Sequence, residues 1–197
     1  YGGTAAIASM GAINSLFTLF FMPLMGVQQG MQPIIGYNHG ARLNDRVYKT
    51  LKIGILVGII FSTIVFALLE IFPVTFISLF LDPSSATVQT AVTGLRIYVL
   101  MLPLLCINVF GIVFYQSTAR GVQAFVLGLL RQVLFLIPAV LIMQNLFGLI
   151  GVWASVPLSD ALAIIVTSIA LIITYRKESK KTEDLSAVGQ EIITVEG

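Results

Sequence analysis

Charged residues are scarce in this sequence. Lys, Arg, Asp and Glu together make up 10% of its 197 residues, whereas soluble domains average about 25%, and its mean hydropathy is +0.98. From residue 97 to residue 175 only Arg120, Arg131 and Asp160 carry a charge. A charge deep in a bilayer costs roughly 2.5–3.5 kcal/mol. The composition therefore predicts a membrane protein, and it makes Asp160 a candidate functional residue.

Signatures of soluble enzymes and binding proteins are also missing. Cys106 is the single cysteine, so no internal disulfide can form. There is no zinc-ligand spacing, Gly-rich phosphate loop or nucleophile elbow, and the formal net charge of +2 is too small to indicate a nucleic-acid partner. We therefore expect neither enzyme activity nor a cofactor. Because an initiator Met and a signal peptide are lacking, we expect the chain to be a piece of a longer protein.

Five apolar segments indicate transmembrane helices, since about 20 apolar residues cross a hydrocarbon core of about 30 Å. They comprise residues 5–36, 53–69, 97–119, 124–142 and 150–175. The predicted fold is an all-α bundle of five transmembrane helices within residues 1–175. The first segment would be about 48 Å long at 1.5 Å per residue. We expect it to tilt, kink or project, with Pro23, Pro33 and Gly36 as candidate points.

Basic residues alternate from one loop to the next. They concentrate after the first, third and fifth segments, at Arg42, Arg46, Lys49, Lys52, Arg120, Arg176, Lys177, Lys180 and Lys181. The positive-inside rule then places residues 40–52, residues 116–123 and the charged tail 176–197 in the cytoplasm, and residues 82–90 and 144–149 outside. We expect the tail to be solvated and partly disordered. The start of the chain would lie outside, which requires a preceding span.

Asp160 lies about ten residues into the fifth segment, roughly 15 Å from its outer end and so near mid-membrane. Pro157 lacks an N–H and therefore frees the carbonyl of Trp153 one turn earlier. A carboxylate beside a freed carbonyl can hold Na⁺ or pass on a proton, which makes Asp160 a candidate site for a coupling cation or a cationic substrate. The alternative is a packing role, with the carboxyl hydrogen-bonded to Ser155, Ser159 or a neighbouring helix.

Two further polar residues lie inside predicted spans. Arg131 is about two turns into the fourth segment, where a long side chain can snorkel to the interface, so we expect an anchoring role more than substrate contact. Asn108 is at the centre of the third segment. It either bonds across helices, which is worth about 0.6–2 kcal/mol in membranes, or lines a cavity.

Three glutamines cluster at the cytoplasmic half of the first segment. Gln28, Gln29 and Gln32 share a face by their helical spacing. They either line an inner vestibule, which would make Gln28 and Gln32 substrate contacts, or support the helix end at Pro33 and Gly36.

Three stretches carry a family pattern. Residues 22–42 read MPLMGVQQGMQPIIGYNHGAR, residues 114–121 read FYQSTARG before LLRQ at 129–132, and residues 148–160 read GLIGVWASVPLSD. Together they resemble the multidrug and toxic compound extrusion (MATE) family, and within it the MepA-like branch. His39 departs from the pattern, since the branch usually has an aromatic residue there. The resemblance covers about residues 5–175.

The resemblance implies helices eight to twelve of a twelve-helix, two-lobe antiporter, without the N-terminal lobe and helix seven. Such a protein in a bacterial inner membrane would exchange inward Na⁺ or H⁺ for cationic amphipathic compounds by alternating access. Its partners would be these drugs, membrane lipid and the missing lobe. One alternative is a flippase for lipid-linked oligosaccharides of the same superfamily, against which the lone Arg131 argues. The other is a truncated, non-transporting membrane module.

Overall fold

The computed structural model describes residues 3–82 and 87–195, with side chains described as far as residue 179. Over these ranges the elements are α1 (Gly3–Gly40), α2 (Asn44–Ile71), α3 (Pro73–Ile77), α4 (Thr87–Tyr98), α5 (Leu102–Ser117), α6 (Gly121–Leu129), a π-helical turn (Leu130–Phe135) and α7 (Leu136–Val195). The described residues contain helices and no strand, which confirms the predicted all-α fold.

The first two helices form a long antiparallel pair. α1 stays helical through Pro23 and Pro33, and its 38 residues span about 57 Å. A single helix of that length must tilt in a 30 Å core or project from it. The chain reverses between α1 and α2 at Arg42, whose φ of 58° is left-handed. The backbone N–H of Leu43 then donates to the carbonyl of Asn38.

The third crossing is a bent pair of helices rather than the single segment 97–119. α4 and α5 meet at an angle of 53°, and the break lies just before Pro103, the second residue of α5. Proline has no N–H to donate, which favours a helix start there. α4 begins at Thr87, inside the stretch 82–90 that the sequence assigned to an outer loop. Residues 83–86 of that loop lie outside the described residues.

The last two crossings form a hairpin. Gly148 has φ 58° and ψ −131°, which interrupts α7. The side chains of Arg131 and Asp160 are bonded although they are 29 residues apart, a separation of about 43 Å along a straight helix. The chain must therefore turn back on itself at Gly148. Counted with α1, α2 and the bent pair, the hairpin gives five apolar crossings in the described ranges.

α7 also extends farther than the sequence indicated. Its backbone remains helical to Val195, so the tail that we expected to be partly disordered is helical as far as it is described. Within the bundle α5 is the central helix, and residues such as Leu105, Phe110 and Phe114 are fully buried on it. Glycines let neighbouring helices approach: a Cβ on Gly58 would lie 2.6 Å from the Phe110 ring. Close packing through small residues is typical of membrane bundles.

Gly94→Ala should destabilise the bundle. A Cβ on Gly94 would lie 2.8 Å from the Trp153 indole and 2.9 Å from Ile13 Cδ1, and a buried indole cannot move aside without repacking. Overpacking of this kind costs about 1–3 kcal/mol. Gly128→Ala is the matched control, because nothing lies within 4 Å of its Cβ position and alanine favours a helix by about 1 kcal/mol. The melting temperatures of the two variants are measured on the protein extracted from the membrane. Equal melting temperatures would contradict the close contact of Gly94 with Trp153.

Candidate functional site

A buried ion pair joins the two helices of the hairpin. Arg131 Nε donates to Asp160 Oδ1 at 2.7 Å, and the two side chains are 22% and 6% exposed. Asp160 is twelve residues beyond Gly148, which is about 18 Å along the helix. The sequence marked Asp160 as a cation site and Arg131 as a separate anchor. The structure brings them together, so the carboxylate already holds a cation, the guanidinium.

Of the hydrogen-bond partners considered for Asp160, the structure shows a residue of the neighbouring helix, Arg131, and neither serine. Ser155 and Ser159 donate their hydroxyls to the carbonyls of Val152 and Val156 on their own helix. The partner of Asp160 therefore comes from the π-helical turn. Such turns are rare in helices and often occur at functional sites.

A tyrosine connects the ion pair to α1. Tyr98 ends α4 at the helix break, and its phenol lies close enough to experience the charges of both Asp160 and Arg131. The same hydroxyl donates to Asn14 Oδ1 at 3.4 Å. Phe17 holds the ring edge-on, with 5.6 Å between the ring centres. Tyr98 thus joins the end of α4 to the exposed side of α1.

Asn108 bridges α5 and α7 at the centre of the bundle. It is fully buried, and its Nδ2 donates to Thr167 Oγ1 at 2.8 Å. Its Oδ1 has no hydrogen-bond partner in the part of the chain that the structure describes. Buried carbonyl oxygens without a partner are uncommon, so this atom has unused hydrogen-bonding capacity inside the bundle.

The exposed faces of α1 and α2 differ in chemistry. Beyond Lys52, the exposed residues of α2 are aliphatic except for Thr63: Ile53, Leu56, Val57, Ile60, Ile64, Leu68 and Ile71. α1 presents neutral polar or small residues among its apolar ones: Gly11, Asn14, Ser15, Thr18, Gly26, Gln29, Gly30 and Gln32. A shallow depression of about 410 Å³, open to the surface and called the α1 cavity below, lies on this face and is lined by Asn14, Ser15, Thr18, Leu19, Met22 and Phe80.

The remaining predicted positions on α1 lie in its C-terminal part. Gln32 and Pro33 are exposed, while Gln28 is half-buried. Gly36 is also half-buried and packs against α5, since a Cβ there would lie 3.6 Å from the Ser117 carbonyl oxygen. These residues therefore do not lie beside Asp160 or Asn108. Gln32 and Pro33 lie on the exposed face of α1, and Gln28 and Gly36 lie at its margin.

A polar cluster joins three elements at the end of the bundle that the basic residues predict to be cytoplasmic. Glu178 on α7 accepts a hydrogen bond from the Tyr48 hydroxyl of α2 at 2.6 Å, and it pairs with Arg120 ahead of α6. The Tyr175 ring packs edge-on against Tyr48 at 4.8 Å. Burial and the adjacent Glu178 raise the pKa of Tyr48. Its phenol is therefore protonated and a hydrogen-bond donor at neutral pH.

Glu178→Gln should lower the stability of the bundle. The carboxylate is 16% exposed and serves two donors on separate elements, and hydrogen bonds to charged groups contribute about 1.5–3 kcal/mol. Glu70→Gln is the control, because Glu70 meets Arg96 at 3.4 Å with the arginine 54% exposed, and exposed pairs contribute about 0–1 kcal/mol. The free energy of unfolding of each variant is measured by denaturing the detergent-extracted protein. A loss at Glu70 equal to that at Glu178 would contradict this assignment.

An apolar multi-crossing bundle with a buried ion pair and one polar exposed helix is the architecture of a membrane transport protein. The family model described as MatE matches residues 1–142, which is well over half of the chain. The chain therefore belongs to the MATE family, and the resemblance drawn from the sequence is confirmed. Members of this family are transporters rather than enzymes, and they are multi-pass proteins of the plasma membrane.

Named relatives and solved structures agree with this family. Multidrug export protein MepA of Staphylococcus aureus (strain bovine RF122 / ET3-1) is 29% identical over 192 residues, which are 93% of this chain and 40% of MepA. The FAD transporter of Shewanella oneidensis is 26% identical over 163 residues, 80% of this chain and 35% of that protein. The chain thus spans about two fifths of the length of these relatives.

An outward-facing multidrug resistance MATE transporter shares the fold with a TM-score of 0.82 at 20% identity, over 90% of this chain and 40% of that one. The MATE multidrug transporter DinF-BH, solved as a complex with a ligand, has a TM-score of 0.76 at 37% identity. That match covers 83% of this chain and 36% of DinF-BH.

Proposed function

We propose that this chain forms one lobe of a cation-coupled multidrug efflux antiporter. The whole transporter would exchange inward Na⁺ or H⁺ for outward cationic amphipathic compounds by alternating access, and it would confer resistance to such compounds. A second lobe would pack against α1. The observation that carries the proposal is the exposed polar face of α1 with its cavity.

That face is unsuited to lipid. The hydroxyls of Ser15 and Thr18 donate to carbonyls one turn back on α1. An amide with unmet hydrogen-bonding capacity in hydrocarbon costs several kcal/mol, yet the amides of Asn14 and Gln29 are exposed on the surface of this chain. Protein or water must therefore cover them in a membrane. The exposed face of α2 beyond Lys52 carries no amide, and its single polar residue there is Thr63. Exposed Met22 and Met25 beside the polar groups supply the adaptable apolar contacts that suit varied ligands.

The roles of individual residues follow from their positions. Asp160 would bind the coupling cation, and Asn108 Oδ1 would offer it or the substrate a neutral ligand. Gln28 and Gln32 would line the cytoplasmic end of the pathway. Arg131 would anchor Asp160 while no cation is bound.

A phosphate-bearing substrate is the rival, because one relative is named an FAD transporter. Recognition of phosphate relies on Arg and Lys. α1 contains neither over its whole length, and Arg131 is paired with Asp160. The same two facts weigh against a flippase for phosphate-linked oligosaccharides. A neutral, Met-containing pathway favours an amphipathic cation instead.

Water should reach α1 and not α2. Single cysteines replacing Thr18 or Gln29 should react with a hydrophilic maleimide in membrane vesicles, in the transporter that contains this chain and with Cys106→Ala removing the native thiol. Cysteines replacing Ile60 or Ile64 should not, because thiols in lipid stay protonated and unreactive. A cationic substrate should slow the reaction at position 18. Equal reaction on both helices would contradict the proposed pathway.

A further inference from the structure

This inference rests on the proposed function and concerns the partner of Asp160. We propose that Arg131 is a tethered cation that competes with the coupling cation for the Asp160 carboxylate. In each transport cycle the carboxylate would alternate between the guanidinium and H⁺ or Na⁺. By rebinding the carboxylate, Arg131 would displace the coupling cation so that it is released from Asp160.

The burial of Asp160 requires a cation at every stage. Its side chain is 6% exposed, and an uncompensated carboxylate in such surroundings costs several kcal/mol. Across the described residues its ion-pair partner is Arg131. A coupling cation can leave only if another positive charge replaces it. Arg131 supplies that charge from within the same hairpin.

The geometry of the pair suits exchange better than permanent anchoring. The hydrogen bond joins one atom of each group, Arg131 Nε and Asp160 Oδ1, whereas the strongest arginine–carboxylate pairs are forked. The Arg131 side chain is 22% exposed, and its length lets it reach more polar surroundings when released. The π-helical turn that carries it is an irregular segment of a kind that often marks functional sites.

Few other groups compete for the carboxylate. From α4, Tyr98 lies near both charges, and among the described residues its hydroxyl bonds to neither; from α5, Asn108 bonds to Thr167 instead. The serines on α7 donate to their own backbone. Tyr98 also donates to Asn14, which lines the α1 cavity. A substrate seated in that cavity would compete for Asn14 and so alter the hydrogen bond of the tyrosine that faces the pair.

The test measures how efflux depends on cation concentration. The transporter containing this chain is reconstituted with a fluorescent cationic substrate, and the rate is followed against pH without Na⁺ and against Na⁺ at fixed pH. If the efflux rate saturates with H⁺, the coupling cation is H⁺; if it saturates with Na⁺, the coupling cation is Na⁺. Arg131→Gln should half-saturate at about tenfold lower cation concentration, because an opposite charge beside a carboxylate alters its cation affinity by one to three orders of magnitude. For H⁺ this is a shift of about one pH unit upwards.

Matched variants separate competition from anchoring. Arg131→Lys keeps a cation with weaker hydrogen bonding, so its half-saturation should lie between those of the unchanged protein and Arg131→Gln. Arg96→Gln removes an exposed guanidinium at the outer end and should leave half-saturation unchanged. Combining Arg131→Gln with Asp160→Asn should abolish the shift together with the coupling.

Two results would overturn the inference. One is an unchanged half-saturation for Arg131→Gln with a lower maximal rate, which is the behaviour of an anchor. If Arg131→Gln does not fold, Arg131→Lys decides, and an unchanged half-saturation in that variant rejects competition. Efflux by the unchanged transporter that ignores every cation gradient would be a different failure, because it would remove the proposed function itself.

Discussion

Asp160→Asn is expected to abolish cation-driven efflux while the protein still folds. Asparagine keeps the size of the side chain and can still accept the hydrogen bond from Arg131 Nε, so packing survives. It cannot carry a charge or exchange a proton, so the coupling cation loses its site. Efflux of a fluorescent cation from energised cells should fall at least about tenfold, the effect expected when more than 1.4 kcal/mol of binding is lost.

Yield and a conservative replacement control this result. The monodisperse yield after detergent extraction should stay near that of the unchanged protein, and Asp160→Glu should recover part of the efflux. Ser159→Ala, one residue away, removes a hydroxyl that bonds only to Val156 of its own helix and should leave efflux intact. Normal efflux by Asp160→Asn at normal yield would make Asp160 a structural residue.

The chain expressed alone should confer no drug resistance. The cavity on α1 is open on the side away from this bundle, and its polar lining would be one wall of a pathway whose other wall is absent. The chain spans about 40% of its multidrug relatives, and one wall cannot alternate between two openings. Growth of an efflux-deficient host on a cationic dye measures the effect.

A longer chain supplies the positive control. The chain joined to the segments that its relatives carry ahead of this region should restore growth on the dye. Resistance from residues 1–197 alone, with the resident transporters deleted, would indicate a self-sufficient assembly of identical chains and would contradict the two-lobe proposal.

Apolar composition was enough to predict the helical class and most of the crossings, because hydrocarbon demands long apolar helices whatever their packing. α4 was missed because the prediction relied on apolar composition. Its sequence, TVQTAVTGLRIY, is too polar to read as a span, and it is held by Gly94 against Trp153, a contact that hydropathy does not describe.

The site was only partly predictable. Scarcity of charge identified Arg131 and Asp160 one at a time, but their pairing depends on the turn at Gly148 and on the register of two helices, which no local pattern specifies. The sequence did offer one signal for the pairing: Arg131 and Asp160 have opposite charges and lie in neighbouring predicted spans. Likewise the spacing of Gln28, Gln29 and Gln32 predicted a shared face, whereas Gln28 is half-buried and the other two are exposed. The orientation from basic loops stays a prediction.

Coupling of drug movement to a cation gradient tests the central claim most directly. The transporter containing this chain would be reconstituted into sealed vesicles with a fluorescent cationic substrate, and an H⁺ or Na⁺ gradient would be imposed across the membrane. The account predicts that substrate moves against its own gradient as the cation moves down its gradient, that an ionophore stops it, and that Asp160→Asn never starts it. Substrate movement of the same rate with the gradient imposed, collapsed or reversed would contradict the account.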